Sequence, residues 1–154
     1  MRWQDLDQEN CSLARALAVI GDRWTLLILR EAFLRVRRFD EFQSRLGIAR
    51  RVLAERLAHL VENDVFAKEA YQETPPRFEY RLTKRGLGLY PILIGLVHWG
   101  DQHFAGKKGP PILHRHLSCG HDFSAVLTCS ECGYVVDPRD VEPHAGPGAR
   151  RKAG

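Results

Sequence analysis

The sequence predicts a mainly α-helical domain carrying one small β-hairpin, followed by a separate small β module built around cysteines. Three observations lead there. Apolar residues recur at helical spacing from Leu13 to Leu60 and again from Leu87 to Trp99; two β-prone runs, VFAKEAYQ and FEYRL, flank ETPPR; and three of the four cysteines cluster at 119, 129 and 132. The predicted organisation is a helical domain over residues 1–106, a linker at 107–112 with the Gly-Pro character of GKKGPP, a β module at 113–141, and a disordered tail at 142–154.

At 154 residues the chain can bury one real core and carry an appendage that needs its own staple. No apolar run reaches the roughly 18 residues that a membrane span needs. The beginning, MRWQDLDQENCS, lacks the apolar centre of a signal peptide, so a cytoplasmic protein with no membrane partner is expected. A net charge of +4 permits a polyanionic partner without demanding one. Its distribution says more, because Arg35, Arg37, Arg38, Arg45, Arg50, Arg51 and Arg56 crowd one short interval.

Asn10 or Ser12 can cap a first helix running to about Ile20, with Leu13, Leu17 and Ile20 forming one buried stripe before Gly21. WTLLILREAF, from Trp24 to Phe33, is apolar nearly all round and reads as a central helix. A third helix fits Phe39 to Leu46, burying Phe39, Phe42 and Leu46. Gly47 ends it in a left-handed turn, and Ile48 fills the angle. A fourth helix then runs over about 49–63. Two short helices joined so tightly read as a helix-turn-helix, whose second member lies in the major groove of DNA.

The hairpin over about 65–82 that follows makes it winged. Thr83 caps a further helix whose Leu87, Tyr90, Leu93, Ile94, Val97 and Trp99 exceed the needs of one small core, with Pro91 bending it slightly. Such a helix most simply supplies a homodimer interface; packing within one chain is the alternative.

Projection of the fourth helix at 100° per residue gathers Leu53, Leu57, Leu60 and Val61 into one buried arc and sets Arg51, Glu55 and His59 opposite, with Val52 and Arg56 on the flanks. Arg50 and Arg51 occupy the first turn, the part of a recognition helix that enters deepest, where they can reach guanine edges or phosphates. Glu55 can accept from cytosine or orient an arginine. Arg37 and Arg38 precede the third helix and can grip the backbone, Arg77 at the hairpin tip can enter the minor groove, and Lys84 and Arg85 are further phosphate candidates. Any one of these exposed cations could equally be only solvated.

Four motifs in order, CSLARALAVIGDRWTLLILREAF at 11–33, RRFDEFQSRLGIARRVLAERLAHL at 37–60, PPRFEYRLTKRG at 75–86 and LYPILIGLVHWG at 89–100, resemble the HxlR family of winged helix-turn-helix transcriptional regulators, in the wider MarR-like group. The resemblance implies a homodimer on a roughly palindromic operator in double-stranded DNA, acting on nearby genes as a repressor or an activator, with repression the expected sign. Ala49 departs from the family pattern, which has Ser or Thr there; loss of that cap weakens the helix start by roughly 1 kcal/mol and removes a possible phosphate contact.

HLSCG at 116–120 and CSECG at 129–133 share one shape: a ligand candidate, two spacers, Cys, then Gly. Such paired turns build zinc ribbons, so Zn2+ is expected on His116, Cys119, Cys129 and Cys132, with His114 and His121 as alternatives for the nitrogen ligand and metal-free thiols as the other possibility. Similar ribbons follow the winged domain in some relatives. Four protein ligands leave no open position, which argues for a structural role. Glu131 is not in the H-x-E position of a zinc deaminase, and no enzyme is expected.

Cys11 matches a cysteine that some relatives use for thiol stress sensing, and a helix start favours the thiolate; the plainer expectation is a small buried residue at a dimer interface. A redox or small-molecule effector is thus one alternative elaboration. A different class of function, a protein-interaction module that no longer binds DNA, is the competitor.

Overall fold

The computed structural model describes Leu6 and residues 8–149. Along them run α1 (Ser12–Ile20), α2 (Arg23–Phe33), α3 (Phe39–Leu46), α4 (Arg50–Glu62), β1 (Phe66–Gln72), β2 (Arg77–Leu82), α5 (Lys84–Leu87), α6 (Tyr90–Phe104), β3 (Arg115–His116) and β4 (His121–Asp122). The chain divides into two compact units, Met1–Leu93 and Ile94–Gly154, which meet in sequence inside α6 rather than at the expected linker. Of the tail expected at 142–154, residues 142–149 carry no helix or strand, and 150–154 lie outside the described residues.

In the first unit, Asp22 caps α2 by accepting from the amides of Trp24 (2.9 Å) and Thr25 (3.3 Å). Ile28 and Leu29 of α2 are buried, as its apolar run predicts. Its one buried charge, Glu31, is compensated: it accepts from Arg30 Nη2 at 2.6 Å and from Arg45 Nη1 at 2.9 Å, tying α2 to α3. Arg45, still half-exposed, is therefore committed to a buried carboxylate.

α1 corrects two expectations. Its N-cap is Cys11, without a side-chain cap, and Ser12 is already helical. The buried residues of α1 are Ala14 and Ile20, while Leu13 is 67% exposed and Leu17 36%. The helix turns its small residue toward the unit, so two of the three residues of the predicted stripe face outward.

Gly47, at φ +60°, donates its amide to Gln43 O at 2.9 Å and makes the tight turn between α3 and α4 with Ile48 buried beneath it. Leu53, Leu57 and Leu60 of α4 are fully buried with Phe42 and Phe66, each leucine contributing about 2 kcal/mol. Val52 is half-buried and packs against the same core instead of flanking an open face.

β1 and β2 pair antiparallel from Phe66↔Leu82 to Ala70↔Phe78, after which a bulge at Tyr71 shifts the register to Gln72↔Arg77. The segment before α3 joins this hairpin, since Tyr80 donates its amide to Arg37 O at 2.8 Å and Arg38 bridges Glu79. The start of α3 and the wing are thus one backbone assembly.

The single helix predicted from Thr83 past Trp99 is two. Thr83 Oγ1 accepts from the Gly86 amide at 3.0 Å and donates to Asp64 O at 2.6 Å, closing the short α5 against the wing. The chain turns after Gly88, and Pro91 sits in the first turn of α6, where a missing amide costs nothing. Proline therefore starts a helix here instead of bending one.

In the second unit, β3 and β4 pair through Arg115↔Asp122 and His116↔His121, and a bridge between Thr128 and Val135 makes a further small turn.

Gly86 is buried, and a Cβ there would drive into the Val65 carbonyl oxygen and crowd Leu82. Gly86→Ala is expected to cost about 3 kcal/mol, read as a shift of the chemical-denaturation midpoint followed by circular dichroism. A loss under about 0.5 kcal/mol would show that α5 moves freely.

Candidate nucleic-acid interface

The winged unit presents its cations according to what each one packs against. Arg38, Arg50 and Arg77, all singled out in the sequence, line one hollow of about 540 Å³ between the start of α3, the start of α4 and the wing. Lys68 of β1 joins them there. Three of these four sit over aromatic faces: Arg38 over Tyr71 (4.7 Å), Arg50 over Phe39 (4.7 Å) and Lys68 over Phe78 (4.4 Å). The rings hold the cations in place while leaving their outer sides open.

Lys68 was missed because a lone lysine in FAKEAYQ carries no signal of its own. Only the pairing register, which sets Lys68 against Tyr80 and beside Phe78, brings it to the arginines.

The remaining predicted contacts are dispersed. Arg51 is 91% exposed on the outward face of α4 and pairs with Glu55 at 3.0 Å one turn on. Arg50 reaches back to within 3.7 Å of Asp40 on α3. Arg56 turns inward: its Nε is buried and lies 3.9 Å from Asp22, the cap of α2. Arg37, Lys84 and Arg85 are exposed outside the hollow. Ala49 is the N-cap of α4 and offers no side-chain hydrogen bond, so the first-turn amides of that helix have no side-chain cap.

The wing has a charge problem and a solution. Glu69 and Glu79 are directly opposed across the strands, a repulsive arrangement. Arg81 spans both, with Nε 3.0 Å from Glu69 and Nη2 2.6 Å from Glu79. The hydrogen bond from Arg81, assisted by its charge and by Arg37 and Arg38, holds the Glu79 carboxyl below the usual glutamate range.

In the second unit the two predicted turns share one backbone form. Gly120 (φ +73°) donates to His116 O at 2.8 Å, and Gly133 (φ +76°) donates to Cys129 O at 2.9 Å. Cys119 Sγ lies 3.5 Å from His116 Nδ1. Cys129 accepts from the backbone amides of Cys132 and Glu131 and from the Cys132 thiol, which lowers its thiol pKa. Each turn pre-arranges one pair of donors. Among the described residues, however, no three His, Cys, Asp or Glu side chains gather at a point that could hold a metal ion. His114 uses its carbonyl to accept from the Phe123 amide, and His121 stands opposite His116 in the β3–β4 pair. Cys11 is exposed, not buried, in the single chain.

A tight helix pair with a basic outward helix and a cation-lined wing defines a winged helix-turn-helix DNA-binding transcriptional regulator. Residues 19–108 match the HxlR-like helix-turn-helix family, and the chain belongs to that family. An HTH-type transcriptional regulator of Mycobacterium tuberculosis, Rv3095, is 45% identical over 144 residues, spanning 94% of this chain and 91% of the relative. The crystal structure of PA1607, a candidate transcription factor, superposes with a TM-score of 0.82 at 34% identity, over 91% of this chain and 98% of that one. The redox regulator HypR in its reduced form gives 0.55 at 30% identity, over 60% of this chain and 92% of its own. These relatives are regulators, not enzymes. Among the described residues no helix is long and apolar enough to cross a membrane.

Because its folded-state pKa is depressed, Glu79 stabilises the wing above the ordinary glutamate pKa, and that contribution is lost as pH falls through the lower folded value. Carboxyl-carbon NMR titration should place Glu79 below the chain's exposed glutamates, and Arg81→Ala should bring it back among them. An unmoved midpoint in the variant would show that Arg81 is not the cause.

Proposed function

We propose that the chain acts in the cytoplasm as a homodimer that binds a roughly palindromic operator in double-stranded DNA and represses transcription there. The observation that carries this reading is the set of positioned cations, Arg38, Arg50, Arg77 and Lys68, around one hollow beside the outward, arginine-bearing face of α4. In this reading α4 enters the major groove, with Arg50 and Arg51 at its leading turn, and the wing follows the adjacent minor groove. Arg38 and Lys68 hold phosphates, while Glu55 steers Arg51. Two such helices about 34 Å apart read two half-sites.

Open apolar side chains support the dimer. Leu13 and Leu17 on α1, and separately Leu96 and Phe104 on α6, are each more than a third exposed. In the proposed dimer a second copy covers them.

Gel-shift titration with the DNA upstream of the protein's own gene tests the reading. Arg51→Ala should weaken binding about tenfold and relax sequence preference, whereas Arg38→Ala should weaken all sequences alike and flatten the salt dependence by about one counterion. Wild-type affinity in both variants would instead favour a protein-interaction module.

We further propose that His116, Cys119, Cys129 and Cys132 hold one structural Zn2+, which would cross-link the two glycine turns and take part in no reaction. The matching backbone of the two turns supports this. Elemental analysis of purified protein with its four thiols reduced should find about one zinc per chain, lost in Cys132→Ser. Zinc at background level in the fully reduced wild type would exclude the site.

A further inference from the structure

The second unit contains a cavity of about 560 Å³ that differs from the hollow beside α4 in its cations. In a chain of net charge +4, the described residues lining it include no lysine or arginine, yet they include Asp101 and Asp122. Asp122 is committed to Arg115, 3.2 Å away. Asp101, on α6, is half-buried, and among the described residues its carboxylate has no ion-pair or hydrogen-bond partner. An unpaired carboxylate in the wall of a cavity attracts a cation from outside.

The walls limit which cation fits. Trp99 and Phe123 contribute aromatic rings, and Ile112 adds an apolar surface. Phe123 packs edge-on against His98 at 5.9 Å, and His98 meets His114 in the same way at 5.8 Å, so this wall is braced. His98 Nδ1 also accepts from the Ala125 amide at 2.7 Å, which holds the ring in place. The volume falls within the range of small-molecule sites, and aromatic faces beside a carboxylate bind cations whose charge is carried on an apolar body. A metal ion would gain nothing from the rings, and an anion would be repelled by Asp101.

We propose that this cavity is a binding site for a bulky organic cation, with Asp101 supplying the countercharge and Trp99 and Phe123 the aromatic contact. The site is independent of the DNA-binding reading, because none of its residues belongs to α3, α4 or the wing.

The test is isothermal titration of the full-length, metal-replete protein with tetraphenylphosphonium, alongside triphenylphosphine oxide as a neutral compound of similar shape. One saturable site per chain is expected, with the phosphonium bound at least about tenfold more tightly than the oxide. Asp101→Asn should lose about tenfold for the phosphonium while leaving the oxide unchanged, and Trp99→Leu should weaken both; thermal unfolding confirms that each variant is folded. Absence of saturation below about 1 mM, equal affinity for the two compounds, or an unchanged phosphonium affinity in folded Asp101→Asn overturns the proposal.

Discussion

The arrangement of the winged unit depends on the burial of one stripe of α4. Leu53, Leu57 and Leu60 are removed from water against Phe42 of α3 and Phe66 of β1, so this single apolar face sets the helix against its partner and against the wing together. Turning α4 by even one residue, about 100°, would expose leucines worth several kcal/mol and bury arginines without partners. The outward direction of Arg51 is thus enforced by what lies on the opposite side of the helix. The Gly47 turn and the Tyr80–Arg37 backbone bond then secure the two ends of the assembly.

Within that frame, carboxylates decide which arginines are free. Glu31 pairs with the half-exposed Arg30 and Arg45, and Asp22, while capping α2, faces Arg56. Arg50 is restrained between the ring of Phe39 and the Asp40 carboxylate. Seven arginines crowded into one interval of sequence therefore serve at least two purposes, and proximity along the chain does not separate them. Of the cations that remain, Arg38, Arg50 and Lys68 are held over rings, which narrows their conformational freedom before any ligand arrives and would lower the entropic cost of binding a phosphate.

The two hollows show how a mildly basic chain partitions its charge. Both hollows, of similar volume, hold two carboxylates and aromatic rings, but only the one beside α4 adds Arg38, Arg50, Lys68 and Arg77, whereas the described lining of the one beside α6 has no lysine or arginine. Net charge alone describes neither.

Local physics made much of the winged unit legible in advance. The bounds of α3, the left-handed Gly47, the leucine face of α4 and the hairpin between Phe66 and Leu82 follow from periodicity, glycine's tolerance of positive φ, and β-branched or aromatic runs, each a property of a few adjacent residues. The shared shape of the two Cys–Gly turns was legible for the same reason. The break before Pro91, the outward facing of Leu13, the pairing of Arg45 with Glu31, the inward turn of Arg56 and the recruitment of Lys68 were not. The sequence by itself determined the elements and the family to which they belong, because helices, turns and motifs are written in neighbouring residues. Only the tertiary structure decided which cations are paired and which gather around one hollow, because those outcomes depend on partners far apart in the chain and on the register that brings them together.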